Sequence, residues 1–485
     1  MTPDLAIVGG GPAGITLALA LANTPIRILL LESGGFEFDA ATQDLYAGEE
    51  SGVRYIPLNG TRLRYLGGCS NHWGGWSRPL ERIDFEKRDW LRYSGWPFPR
   101  EELEPYFPRA QALIEAGPFL YDRLAKANLP GTLLPLGPGG VYNSFFQFSR
   151  WKENPQHLPT AFGHRYADDL KRIANLQTML HANVTGLRLA KDVRWVDRLD
   201  VATLSGRNFT VKPRHTVVAC GGIENARLLL ASNDVVSTGV GNENDLVGRF
   251  FADHAIPRDT ATLVVFGGEI AGFYKANADV SGARIRAALA PTDSFRRDRK
   301  LLGSTPTVEQ RVELDALDQA AVTTVSTAMG VDASNAHAYS LGTGLELAPD
   351  PERRVTLDGV RDALGMPRLK LHMTISDDDL TSYRTTLTEL GRQLLAAKSG
   401  MLRMDRRTRA EWLSVMDWGN HHMGTTRMHD DAKQGVVDAN SQVHGLANLF
   451  IAGSSVFPTY GASNPTLNLV ALTLRLADHL KGVFR

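Results

Sequence analysis

The chain has 485 residues, 43% hydrophobic and 22% charged, with Lys+Arg 53 balanced by Asp+Glu 53. A length about three times a typical domain implies two domains or one large composite, and the charge balance excludes a basic field for nucleic acid or anionic lipid. With Cys69 and Cys220 as its only cysteines, the chain encodes no disulfide framework or iron–sulfur motif. The apolar runs are too short and interrupted to span a bilayer, and the start Met1 to Gly11 has no basic region or cleavage site, so a cytoplasmic protein is expected.

The first predicted element is a strand, Asp4-Leu-Ala-Ile-Val8, followed by Gly9-Gly10-Gly11-Pro-Ala-Gly14 and an Ala/Leu-rich helical segment to Asn23. A second apolar run, Ile26 to Leu31, ends in Glu32. This is a βαβ unit with an acid about 20 positions after the glycines, the pattern of a dinucleotide site. Gly9 permits the tight turn, Gly11 lets the backbone approach a pyrophosphate, Gly14 lets helix and strand pack, and Glu32 is placed to accept from a ribose.

Segment 61–78 reads as a glycine-rich loop with aromatic punctuation, and 128–141, rich in Pro, Gly and Leu, covers or links. Thr216 to Cys220 is a strand, broken by Gly221-Gly222, with helix over Ile223 to Ser232. Beyond 255 the pattern changes. Leu369, Leu371, Met373 and Ile375 alternate with polar residues as in a half-buried strand. Ser376 caps a helix with Leu380, Tyr383, Leu387, Leu390 and Leu394 at helical spacing, which suits a second domain of antiparallel sheet backed by helices. The chain then returns to the first domain with a strand at Leu449–Ala452 and a final helix opened by Asn464-Pro465-Thr466. No internal repeat or low-complexity segment is present.

Between these elements, Asp417-Trp-Gly-Asn-His421-His422-Met-Gly-Thr-Thr-Arg427 sets a histidine in a Gly/Thr-rich loop, where it can act as a base. Ala452-Gly453-Ser454 at a strand end can offer backbone N–H groups to a cofactor, and Asn464 offers a polar side chain at a helix N-terminus. Adjacent His421 and His422 diverge, so only one is expected to reach the site, and a metal reading of His421, His422, His429 and Asp430 lacks a zinc spacing. Asp253-His254 reads as a buried hydrogen-bonded pair near the cofactor. Trp73, Trp76 and Trp151 read as core or pocket wall, since no basic groove accompanies them.

Together, Gly9–Gly14 with Glu32, Gly67–Gly75, His181–Val184, Val217–Leu230, Val247–His254 and Asn420–Asn464 resemble the glucose–methanol–choline oxidoreductases, FAD-dependent alcohol oxidases and dehydrogenases. Segment 262–350 carries no motif of that family, whose second domain shapes the substrate pocket. The resemblance implies an α/β composite: a Rossmann-like FAD-binding domain from 1–90, 160–260 and 436–485, and a substrate domain of antiparallel sheet and helices from 91–159 and 261–435. It implies that His421, six positions before Arg427, is the catalytic base and that Asn464 orients the hydroxyl. With the glycine turn, it implies FAD contacts from Gly9, Gly11, Pro12, Ala13, Gly14, Glu32 and Ser33, and from Arg64, Gly67, Gly68, Ser70, Asn71, His72 and Trp73. Further contacts are implied from Val184, Ala219, Gly221, Asp253, Gly453, Ser454, Asn464, Pro465 and Thr466.

Gly67-Gly-Cys-Ser-Asn-His72-Trp73 looks most like the pyranose 2-oxidase branch, in which the matching histidine is bonded to the flavin. Asn71 and Gly74 replace that branch's threonines, so non-covalent FAD is expected, with a link through His72 as the alternative. The implied activity is oxidation of a secondary hydroxyl on a sugar or glycoside, with oxygen, a quinone or another electron acceptor as partner. A non-sugar alcohol, a flavin-containing lyase and a binding flavoprotein are the competing readings.

Overall fold

Strand Leu5–Val8 is buried at every position and is the middle strand of a five-stranded parallel sheet. The order is Leu449–Ile451, His215–Val218, Leu5–Val8, Ile28–Leu31, Leu176–Met179. Continuous Leu/Ile/Val runs suit a sheet covered on both faces. Helix Pro12–Ala20 packs against the C-terminal helix Pro465–Val483, bringing the two ends of the chain together. The computed structural model describes residues 1–485 except 152, 155, 157, 405 and 406 and the side chain of Asp122.

A six-stranded antiparallel sheet contains Gly400–Met404, Ala261–Val265, His337–Leu345, Ala255–Pro257, Met416–Trp418 and Ser304–Val312. Helix Asp377–Ala396 lies behind it, capped by Ser376, whose hydroxyl accepts from Asp379 N–H. Its expected face, Leu380, Tyr383, Leu387, Leu390 and Leu394, is buried. The parallel and antiparallel sheets make the fold α/β, as expected from the sequence.

The strand expected in the antiparallel sheet from Leu369, Leu371 and Met373 has its alternating burial but another location. Pro367–Met373 pairs antiparallel with Arg354–Arg361 and parallel with Gly48–Gly52, far earlier in the chain. Alternation reports which face is buried and is silent on the neighbour.

One pairing positions the site. Segments 252–257 and 416–423 run antiparallel, with Pro257 opposite Met416, Ala255 opposite Trp418, and a bridge from Ala252 to Met423. His254 and His421 are thereby drawn into side-chain contact.

Candidate active site

A cleft enclosing about 320 Å³ opens at the carboxyl ends of strands Leu5–Val8, His215–Val218 and Leu449–Ile451, the usual ligand position in an open parallel sheet. Gly9 stands at φ +107°, where a Cβ would meet Ala219 O at 2.6 Å, so the turn demands glycine. Gly11, Gly221 and Gly453 are different: a Cβ on any of them would meet nothing within 4 Å. Their bare backbone faces the cleft at three strand ends, beside the N-terminus of Pro12–Ala20. Arg62 and His422 are buried residues of the wall, and among the described residues Arg62 Nη1 and His422 Nε2 have no hydrogen-bond partner. A bare-backbone cradle at a helix N-terminus with unpaired polar atoms fits a phosphate-bearing dinucleotide.

His421 projects into this wall and is held at both ring nitrogens. His254 Nδ1 lies 2.8 Å from His421 Nδ1, and Asn464 Nδ2 lies 3.1 Å from His421 Nε2. Asn464 occupies the N-cap position of helix Pro465–Val483, yet its side chain makes no capping bond. A cap of this type is worth about 0.5–2 kcal/mol, so directing the amide at a histidine is the mark of a site. Beneath the histidines, Asp253 Oδ1 accepts from the backbone N–H of His254 at 2.7 Å and of His421 at 2.8 Å, while Tyr55 donates to Oδ2 at 2.5 Å.

Burial sets the protonation states. Desolvation holds His421 well below the ordinary imidazole range, with neighbouring His254 and His422 adding to the effect. Desolvation also lowers His254 to about 4 and His422 to about 3. The three imidazoles are therefore neutral at neutral pH. Burial pushes the Asp253 carboxyl up to about 7, against hydrogen bonds from Tyr55, His421, His254 and Asn420 that favour the anion.

Most residues singled out from the sequence line the cleft: Gly9, Gly11, Pro12, Ala13, Glu32, Ser33, Arg64, Gly68, Ser70, His72, Trp73, Val184, Ala219, Gly221, His421, Gly453, Ser454, Asn464, Pro465 and Thr466. Gly14, Gly67, Asn71 and Asp253 lie outside that wall, for local reasons. A Cβ on Gly14 would run into the Gly9 carbonyl, so this glycine serves packing. Gly67 N–H donates to Gly10 O at 2.7 Å, and Asn71 donates to Leu66 O at 2.9 Å, so both stabilise their own loop. Asp253 is fully buried behind the histidines. The expectation that only one of the adjacent histidines reaches the site is corrected, because both line the cleft. His422 does so from among the rings of Tyr55 and Phe251. Glu32 lines the cleft but also accepts from Gly10 N–H at 2.7 Å and Gly34 N–H at 2.8 Å. It braces the turn as well as facing a ligand.

Tyr46, Arg62, Cys220, Glu224 and Met366 also line the cleft and were not foreseen. Arg62 and Arg64 both pair with Glu224 at 3.2 Å, and Arg62 stacks 4.0 Å over the Tyr46 ring. The paired arginines of Thr61-Arg62-Leu63-Arg64 were the available signal. Met366 arrives from a distant segment and left none.

A family model described as GMC oxidoreductase matches residues 349–473. The chain carries the GMC oxidoreductase C-terminal domain. Within this GMC domain lie His421, Asn464 and the loops that set them side by side; the glycine turn lies outside the matched span. Over nearly its whole length the chain is similar to the fructose dehydrogenase large subunit of Gluconobacter japonicus, 23% identical over 99% of this chain and 97% of that one. It is 29% identical to the C-glycoside 3-oxidase of Arthrobacter globiformis over 56% of this chain and 47% of that one. Its fold resembles that of a formate oxidase of Aspergillus oryzae RIB40, with a TM-score of 0.59 at 16% identity over 99% and 98% of the two chains. Among the described residues, no helix is long and apolar enough to cross a membrane.

Proposed function

We propose that this GMC oxidoreductase holds FAD non-covalently in the long cleft and oxidises a secondary alcohol, a hydroxyl on a sugar or glycoside, to the ketone. The observation that carries the reading is a buried histidine, His421, with Asn464 Nδ2 3.1 Å from its Nε2 in the wall of the cleft that the glycine turn lines. FAD, when bound, supplies the acceptor for the hydride that leaves the alcohol carbon. His421 Nε2 takes the hydroxyl proton as the C=O bond forms, so one proton and one hydride leave the substrate. Asn464 donates to the substrate oxygen and orients it without titrating. The Gly11 backbone would take the pyrophosphate and Glu32 the ribose hydroxyls. In the same reading, residues 1–90, 160–260 and 436–485 serve the cofactor, and 91–159 and 261–435 the substrate.

The relatives support the class of substrate: one is named for fructose and one for a C-glycoside. The formate oxidase neighbour is described with its FAD, which supports the cofactor. Oxygen, a quinone or another electron acceptor would reoxidise the flavin. A cytoplasmic location is part of the proposal, supported by the unpaired Cys69 and Cys220. The test is to mix flavin-loaded protein anaerobically with sugars, aryl glycosides and plain alcohols and to follow flavin absorbance, then identify product. Bleaching by a sugar or glycoside with a keto product is expected. Flavin that stays oxidised with every alcohol overturns the reading in favour of a lyase or a binding protein, and bleaching by plain alcohols alone overturns the sugar assignment. Acid-precipitated protein should release its flavin; flavin mass on a peptide containing His72 would reverse the non-covalent assignment.

A further inference from the structure

Gly461 carbonyl oxygen lies 2.9 Å from His254 Nε2. A carbonyl can only accept, so His254 Nε2 carries hydrogen. Among the described residues, no carboxylate hydrogen-bonds to the His254 ring, which meets the rings of His421 and Tyr460 and the Gly461 carbonyl. Glu346, the acid that acts on it from a distance, is engaged by Arg88 at 2.7 Å and Arg296 at 2.9 Å. A fully buried imidazolium without an anionic partner is disfavoured, so the ring is neutral and its Nδ1 is a lone pair. The other member of the 2.8 Å contact, His421 Nδ1, must then bring the hydrogen. That leaves His421 Nε2 as the bare nitrogen, and Asn464 must present its amide N–H to it at 3.1 Å.

We propose that His254 is a positioning residue that fixes the tautomer of His421, keeping the hydrogen on Nδ1 and the lone pair on Nε2, where a substrate hydroxyl would take the place of the Asn464 N–H. The chain of donors reads Asn464 to His421 to His254 to Gly461. It ends on a carbonyl that cannot take a proton, so His254 orients the base and does not relay. A proton accepted at His421 Nε2 stays on His421 until it leaves by the cleft. Asp253 supports this arrangement by accepting the backbone N–H groups of both histidines on one oxygen. Gly461 stands at φ +51°, and a Cβ there would collide with Asp84, so the terminating carbonyl is itself tightly placed. The role of His421 as base rests on the function proposed above; the tautomer does not.

The test is nitrogen-15 NMR of histidine-labelled, flavin-loaded protein near neutral pH, with the His421 signals assigned by their loss in His421→Ala. We expect His421 as the Nδ1–H form and His254 as the Nε2–H form. His254→Phe removes the acceptor: His421 should move toward Nε2–H, and anaerobic flavin reduction should slow by about ten- to a hundredfold, the usual effect of losing an orienting partner. His254→Asn keeps an acceptor oxygen near the Nδ1 position and should restore the Nδ1–H form. Wild-type His421 with its proton on Nε2 overturns the proposal, as does a His254→Phe variant that keeps Nδ1–H. Should His254→Phe fail to fold, the wild-type spectrum decides alone. If no alcohol reduces the flavin, the functional reading fails while the tautomer measurement stands.

Discussion

His421 differs from His422 in what holds its ring. His421 is fixed at both nitrogens, whereas His422 is packed among aromatic rings with Nε2 unpaired among the described residues. His421→Ala should therefore slow anaerobic flavin reduction by about 10²–10⁴, the range for a positioned general base. His422→Ala should do less, and Asn464→Ala should fall between, because it removes orientation and no proton acceptor. Rapid mixing of variants shown to retain FAD measures this, and His422→Ala as the slowest would exchange the two roles. The pH dependence has a definite sign. A base with a lowered pKa stays neutral below the ordinary value of 6.5, so the reduction rate should stay level as pH falls from about 8 through about 6. A rate that halves near 6.5 would show His421 to be ordinary.

At the scale of elements, the glycine turn combines two kinds of glycine. Gly14 is buried against the Gly9 carbonyl, and Gly11 faces open cleft. Gly14→Ala should lower the melting temperature of FAD-free protein, because strand and helix must separate. Gly11→Val should leave that temperature near wild type and abolish FAD binding by filling the cradle. Thermal melts of apoprotein and titration with FAD separate the two, and loss of fold in Gly11→Val would contradict the assignment. Glu32→Gln should weaken FAD by roughly ten- to a hundredfold, corresponding to about 1.5–3 kcal/mol for bonds to a charged acceptor. Equal FAD affinity in the titration would remove Glu32 from the site.

Across the whole molecule, a buried ion network joins distant segments. Arg88 and Arg296 share Glu346, and Arg296 also holds Asp84 at 2.8 Å. The two arginines hold Glu346 down to about 2. Glu346→Ala leaves two buried guanidinium groups underpaired and should cost about 3–5 kcal/mol, read as a lowered denaturation midpoint. Acid stability follows from the histidines. His254 has its pKa lowered from 6.5 to about 4 in the folded state. The unfolded chain thus binds more protons between those values, and this contribution is full above 6.5 and lost as pH falls toward 4. Asp253, raised from 3.8 to about 7, acts in the opposite sense over the same window. Comparison with His254→Asn isolates the histidine: the variant's melting temperature should fall less steeply between pH 6.5 and 4. An unchanged slope would show that His254 is not held neutral.

The βαβ unit, the Ser376 cap and the Asn464 helix start were legible in the sequence because each is decided by neighbours a few positions away: apolar runs, turn glycines, a capping hydroxyl. His421 and Asn464 were legible as candidates because polar groups stand there in loop and helix-start positions that need no such residue for packing. The contact between His254 and His421 was not, since they stand 167 positions apart. Antiparallel pairing of two loop-flanking strands alone decides it, and local pattern does not specify a strand's partner. The same gap hid Met366 in the cleft wall and the partner of strand Pro367–Met373. Local pattern was enough for the elements, the glycine turn and the candidate histidine. Tertiary folding supplied the ring contact between His254 and His421, because a hydrogen-bond partner so distant in the chain is brought within reach only by the fold.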